Sequence, residues 1–172
     1  AELLAAEGIP VEKLVASIGA EGGLVLDWPD GAFYPSLSIR LDVVDRETME
    51  KFCEFLASGR AFGVPLKKKD LGNGTLLYEL PSLAAQFQLQ PGMALTADGL
   101  LLGSDAGRLA SVASAADSTD TLKDSETFVT AAKRVGSPDT GFGYIDLRTV
   151  FEKVYGIGRT FLVLGAGFLG DA

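Results

Sequence analysis

The 172-residue chain carries 15 Lys+Arg against 23 Asp+Glu and no histidine, for a formal net charge of −8. That balance excludes the concentrated basic surface on which phosphate-backbone binding depends, so nucleic acid is not an expected partner. The missing histidine removes the usual general base and the commonest zinc ligand, and one cysteine rules out intramolecular disulfides and multi-cysteine metal sites.

Apolar residues at i, i+3, i+4 and i+7 mark five amphipathic helices. The first carries Val11, Leu14, Val15 and Ile18, with Pro10 at its start and Gly19 past its end. A strand with Leu24, Leu26 and Trp28 follows, and Pro29-Asp30-Gly31 supplies turn chemistry. In the next strand Leu37, Ile39, Leu41 and Val43 alternate with Ser36, Ser38, Arg40 and Asp42. That pattern predicts one wet face, and so an antiparallel sheet.

The second helix carries Met49, Phe52, Cys53 and Leu56, with Asp45 as its cap and Gly59 as its stop. Cys53 on that stripe is expected to be a buried, inert thiol. Lys67-Lys68-Lys69 is a basic run closed by Asp70, and reads as a solvated hairpin arm. Asn73-Gly74 joins Leu66–Leu71 to Thr75–Leu80, and Asp98-Gly99 joins Met93–Ala97 to Leu100–Gly103. Both dipeptides favour tight hairpin turns.

The third helix carries Leu109, Val112, Ala113 and Ala116, entered from Ser104 or Asp105. Ala115–Ser125, rich in Ser, Thr and Asp, reads as an exposed loop. The fourth carries Phe128, Ala131, Ala132 and Val135, with Asp124 or Ser125 before it and Gly136 after it. The fifth carries Leu147, Val150, Phe151 and Val154, capped by Asp146 and closed by Gly156. Phe142–Ile145 and Phe161–Leu164 bring the expected strands to eight. A strand, an acidic cap and a striped helix recur at Leu37–Leu56, Leu100–Ala116 and Gly143–Val154, the mark of a diverged internal repeat or of one common supersecondary unit.

Hairpins in series argue against a regular βαβ pattern. The expected fold is a single α+β domain spanning 1–172, a mainly antiparallel sheet built from hairpins with helices packed on one face. The chain opens at Ala1 without a methionine and closes on an apolar run, as a processed product or an excised domain would. No uninterrupted apolar stretch reaches the roughly 18 residues of a transmembrane helix. The mean hydropathy of +0.24 is high for this charge. It predicts either a generous core or an apolar surface awaiting a partner.

Gly165-Ala166-Gly167-Phe168-Leu169-Gly170 spells G-x-G-x-x-G after the run Phe161–Leu164. A dinucleotide site also needs a helix start aimed at the pyrophosphate and an acidic residue about 20 positions on. Neither is present before Ala172, so the reading is a glycine-containing edge strand. The carboxylate pairs Asp27 with Asp30, Asp42 with Asp45, and Asp117 with Asp120 each sit at a turn, a cap or a polar loop. Phe33-Tyr34, Phe62 and Phe87 lie near turns, where they cap the core or rim an apolar pocket. No catalytic, cofactor-binding or metal-binding residue is assigned, and no enzyme activity or cofactor is expected.

Three stretches carry a resemblance: Pro35–Asp45, a strand running into an Asp-led helix; Met93–Ser104, a hairpin ending in Leu-Gly-Ser before a helix; and Gly141–Tyr155, where Gly-Tyr-Ile-Asp-Leu-Arg begins a helix. In these the chain resembles a bacterial family of envelope-associated proteins known only as a domain of unknown function. The resemblance implies an α+β fold, an extracytoplasmic location in the periplasm or cell envelope, and a chain that is part of a longer family member. The expected function is a non-catalytic binding or structural module of a bacterial cell envelope, with a protein partner. The alternative is a carrier of apolar ligands such as lipids.

Overall fold

A computed structural model describes residues 2–28, 34–81, 89–115, 125–135 and 143–169. The chain expected as one domain divides into two compact units, Ala1–Asp117 and Ser118–Ala172. The first unit holds α1 (Glu2–Ala6), α2 (Val11–Ala16), β1 (Ile18–Asp27), β2 (Ser36–Val43), α3 (Arg46–Ala57), β3 (Lys67–Gly72), β4 (Thr75–Glu79), β5 (Gly92–Leu95), β6 (Gly99–Gly103) and α4 (Ala106–Ser114). The second holds α5 (Glu126–Val135) and α6 (Leu147–Leu169).

The six strands form one open sheet in the order β1-β2-β6-β5-β4-β3, and every neighbouring pair is antiparallel. The expected α+β class with a hairpin-built antiparallel sheet is therefore what the chain adopts. At the β3–β4 hairpin, Asn73 and Gly74 take φ of 51° and 72°, the two left-handed residues that a tight turn matching strand twist requires. The β5–β6 hairpin differs from the expected Asp98-Gly99 turn. Its tip is Ala97-Asp98: the Thr96 N–H donates to the Gly99 carbonyl at 2.8 Å, and the Gly99 N–H donates to Thr96 Oγ1 at 3.0 Å. The threonine hydroxyl stands in for a backbone carbonyl, so no left-handed residue is needed.

Side-chain alternation along the strands builds two core clusters on opposite faces. Tyr78, Met93, Leu95 and Leu100 pack against Met49 and Cys53 of α3. Leu77, Ala94 and Leu101 pack against Ala106 and Leu109 of α4. The expectation of helices on one face is corrected here: α3 and α4 sandwich the sheet between them. The wet face expected on β2 is corrected with it. Ser36 and Ser38 are only 6% and 9% exposed, whereas Leu37 is 38% exposed. Ser38 pairs with Gly103, and a Cβ added at Gly103 would sit 2.8 Å from Leu109 Cδ2. Small residues on that face let α4 come close, and its approach buries the serines.

The Asp-led caps behave alike. Thr48 N–H donates to Asp45 Oδ1 at 3.1 Å, Arg108 N–H to Asp105 Oδ1 at 2.9 Å, and Thr149 N–H to Asp146 Oδ1 at 3.2 Å. Each satisfies a backbone donor that the first helical turn leaves open. Arg46, the first residue of α3, donates to the carbonyls of Thr96 and Gly74, tying the helix to both hairpin tips.

Three further expectations change. The first helix ends at Ala16, and Ile18 and Gly19 open β1. The fifth does not stop at Gly156 but runs 23 residues as α6, so Phe161–Leu164 is helical rather than a strand. A short apolar run does not distinguish the two states by itself, and positions 150, 154, 157, 161 and 164 continue one i+3/i+4 series. Residues 143–146 form no strand, and Phe142 lies outside the described residues. Pro29–Phe33, Phe87, Ala116–Asp124 and Gly136 also lie outside them, with the turn, loop and cap assignments made there. The described strands thus number six where eight were expected.

Candidate functional site

The residues singled out in the sequence do not converge. Asp27 is ion-paired with Arg108 of α4, while Asp30, Asp117 and Asp120 lie outside the described residues. Asp42 pairs with Arg40, which also reaches Asp98 Oδ2 at 3.1 Å, whereas Asp45 turns away to cap α3. The Thr48 hydroxyl and N–H hold the pKa of the Asp45 carboxyl below its ordinary value. Lys68 pairs with Glu54, and Lys69 with Glu79 at 2.8 Å, so two of the three lysines of the basic run are spent on neighbours within the fold. Tyr34 and Phe62 are exposed at the surface.

Cys53 is fully buried, and desolvation, with Glu54 and Glu50 adding repulsion, pushes its thiol up to about 12. Gly165 and Gly167 of the glycine-rich tail sit inside α6, and Gly170 lies outside the described residues. Interior helix N–H groups are spent on carbonyls four residues back, so they cannot cradle a pyrophosphate. Among the described residues, no three His, Cys, Asp or Glu side chains are grouped to hold a metal ion.

A pocket of about 470 Å³ opens beside α3, lined by Glu7, Ile9, Glu47, Glu50, Lys51, Glu54, Phe55 and Arg60. Ile9 and Phe55 form an apolar floor. The Arg60 guanidinium lies 5.7 Å from the Phe55 ring centroid and donates from Nη2 to Glu7 Oε2 at 2.9 Å. Lys51 Nζ sits 2.7 Å from Glu47 Oε1, which lowers the Glu47 pKa and raises that of Lys51. Glu54 accepts from the Tyr78 hydroxyl at 3.1 Å; burial, and then the Glu54 charge, raise the Tyr78 pKa. Both cations of this hollow are paired, and its six ionisable groups suit a polar guest rather than a lipid tail.

Two apolar surfaces are exposed, one in each unit. Leu24, Val25 and Leu26 of edge strand β1 are 67%, 60% and 60% exposed. In α6, Leu147, Phe151, Val154, Tyr155 and Leu162 are all exposed, the last at 75%. At 100° per residue these five positions share one face. Arg148 and Arg159 flank it on one side and Lys153 on the other, with Glu152 as the one carboxylate in the helix. Arg148 Nε donates to Glu152 Oε1 at 2.9 Å. Before the helix, the Tyr144 and Phe128 rings meet edge to face with centroids 5.4 Å apart, which ties α5 to the start of α6.

Sequence reasoning missed both surfaces. The α6 face was legible only as far as Gly156, where a stop was expected. The β1 edge left a fainter signal in Gly19, Gly22 and Gly23, which give neighbouring strands little to pack against. Among the described residues, no helix is long and apolar enough to cross a membrane. No family model, no characterised protein and no solved structure matches the chain.

Proposed function

We propose that the chain is a non-catalytic binding or structural module of a bacterial cell envelope, held at an anionic membrane surface by α6. The observation that carries this reading is the exposed apolar face of α6 between cationic flanks. A helix of 23 residues with such a face lies in a membrane interface, its apolar side chains in the headgroup boundary and its Lys and Arg heads at the phosphates. Three cations against one carboxylate make α6 locally basic in a chain of net charge −8. The resemblance of Pro35–Asp45, Met93–Ser104 and Gly141–Tyr155 to envelope-associated proteins supports the same location. A carrier of apolar ligands is the weaker reading, because the pocket beside α3 is walled by charge.

Flotation with vesicles tests the proposal. The protein is expected to rise with phosphatidylglycerol-containing vesicles, less so at high salt, and to stay down with neutral phosphatidylcholine. Phe151→Glu is expected to abolish flotation while leaving the first unit folded. Absence of the wild-type protein from the anionic vesicle fraction would sink the reading.

A further inference from the structure

The two edges of the sheet are built differently. At β3 the edge carries Lys67, Lys68 and Lys69, a charged row that discourages addition of another strand. At β1 the edge carries Leu24, Val25 and Leu26, all exposed. An unpaired apolar edge is a template for a further strand.

The hydrogen bonds of β2 decide which backbone groups of β1 are free. The Leu37 N–H donates to Ser104 Oγ at 3.0 Å, and its carbonyl accepts from the Ser104 N–H at 3.0 Å. The Val43 N–H likewise donates to the Asp98 carbonyl at 3.0 Å. The odd-numbered residues of β2 therefore aim their backbone at β6, and Ser36, Ser38 and Arg40 aim theirs at β1. Their partners are Asp27, Val25 and Gly23. By the period of two, Gly22, Leu24 and Leu26 direct their N–H and C=O groups outward from the sheet.

We propose that this edge pairs with the β1 edge of a second copy of the chain, antiparallel, with Val25 facing Val25 of the second copy across a two-fold axis. In that register Leu24 faces Leu26 of the second copy and the reverse, and the outward groups at 24 and 26 bond to one another. The Val25 pair falls at a non-hydrogen-bonded position, where side chains approach most closely. Gly23 faces Asp27 of the second copy, and a Cβ at Gly23 would meet nothing within 4 Å, so the carboxylate has room. Every cross-strand pair from 23 to 27 is thus free of like charges. The neighbouring register, with Leu24 on Leu24, sets Glu21 against Asp27 twice, and like charges directly opposite each other destabilise a sheet.

Avoidance of like charges thereby disfavours the Leu24 register, the self-complementary Leu24/Leu26 and Val25/Val25 pairs favour the Val25 register, and the lysine row on β3 sets the closure. With one edge blunted and the other unpaired among the described residues, pairing ends at a two-fold dimer instead of continuing as a fibre. The product is a continuous sheet made of two six-stranded halves.

Cysteine cross-linking tests this, since the single native thiol, Cys53, is fully buried. Val25→Cys is expected to give a disulfide-linked dimer under mild oxidation, several-fold more than Leu24→Cys. Wild-type protein is expected to sediment at twice the chain mass, and Val25→Lys at the chain mass with an unchanged melting temperature. Dominant cross-linking of Leu24→Cys would overturn the register. Wild-type protein that stays at the chain mass without cross-linking at Val25→Cys would overturn the interface, as would larger assemblies that leave Val25→Cys uncross-linked.

Discussion

Leu109→Ala measures how firmly α4 closes the second face of the sheet. Leu109 is fully buried against Leu77, Ala94, Leu101 and Ala106. The substitution removes three carbons, a transfer loss of roughly 2.4 kcal/mol at about 0.8 kcal/mol per methylene. Ala94, Ala106 and Gly103 have no longer side chains to fill the gap, so a cavity term adds to the loss. The expected cost is about 3–4 kcal/mol, inside the range for such truncations. That corresponds to a fall of roughly 12–16 °C in melting temperature for a unit of this size. Val112→Ala, on the exposed side of α4, should cost less than about 1 kcal/mol.

Gly103→Ala supplies the second half of the test. Its new methyl would lie 2.8 Å from Leu109 Cδ2 and 3.1 Å from the Leu37 carbonyl oxygen, an overpacking worth about 1–3 kcal/mol. In the Leu109→Ala background the first clash disappears. The double variant should therefore lose less than the sum of the single losses, by more than about 0.5 kcal/mol. Urea denaturation of the wild type and the four variants reads all of these quantities. Strict additivity, together with equal losses for Leu109→Ala and Val112→Ala, would refute the close approach of α4.

Three other outcomes are expected. Cys53, with its thiol pushed up to about 12, should label with a thiol reagent at pH 8 only as fast as the protein opens, and stoichiometric labelling within seconds would place it at the surface. Asp45→Ala should lower the melting temperature and Asp45→Asn should largely preserve it, because asparagine caps as well as aspartate; since folding depresses the Asp45 pKa, the cap's contribution is present above the ordinary value of 3.8 and is lost as pH falls through the folded value, so acid titration of melting temperature should show a smaller drop in Asp45→Asn. Leu41→Asp should cost upward of about 2 kcal/mol, as a charge placed on the sheet face that α3 covers, while Arg40→Ala gives up only partly exposed pairs with Asp42 and Asp98 worth at most about 1 kcal/mol; similar melting temperatures for the two would reverse the faces of β2.

What was legible in the sequence was local. Asp45, Asp105 and Asp146 announce helix starts because a cap involves only the next three residues, and Asn73-Gly74 announces its hairpin because positive φ is a property of those two residues. What failed depended on distant partners. Ser36 and Ser38 read as wet because nothing nearby shows that α4, some 70 residues on, lands over them. The pocket joins Glu7 to Arg60 across 53 positions, and Arg46 reaches Gly74 and Thr96 across 28 and 50. Phe161–Leu164 failed for a different reason, since a continuous apolar run fits a buried strand and a helix face equally well. The candidate surfaces were legible only as an excess of hydropathy with no address.

Hydrogen–deuterium exchange over α6, with and without phosphatidylglycerol-containing vesicles, tests the membrane reading most directly. A helix whose apolar face is exposed has little tertiary packing to hold it, so its amides should exchange quickly in the free protein. Burying Leu147, Phe151, Val154, Tyr155 and Leu162 in an anionic interface should slow the amides from Thr149 through Leu162 severalfold, with β4 and β5 unchanged. Exchange in α6 that is the same with saturating anionic vesicles as without them would contradict the account.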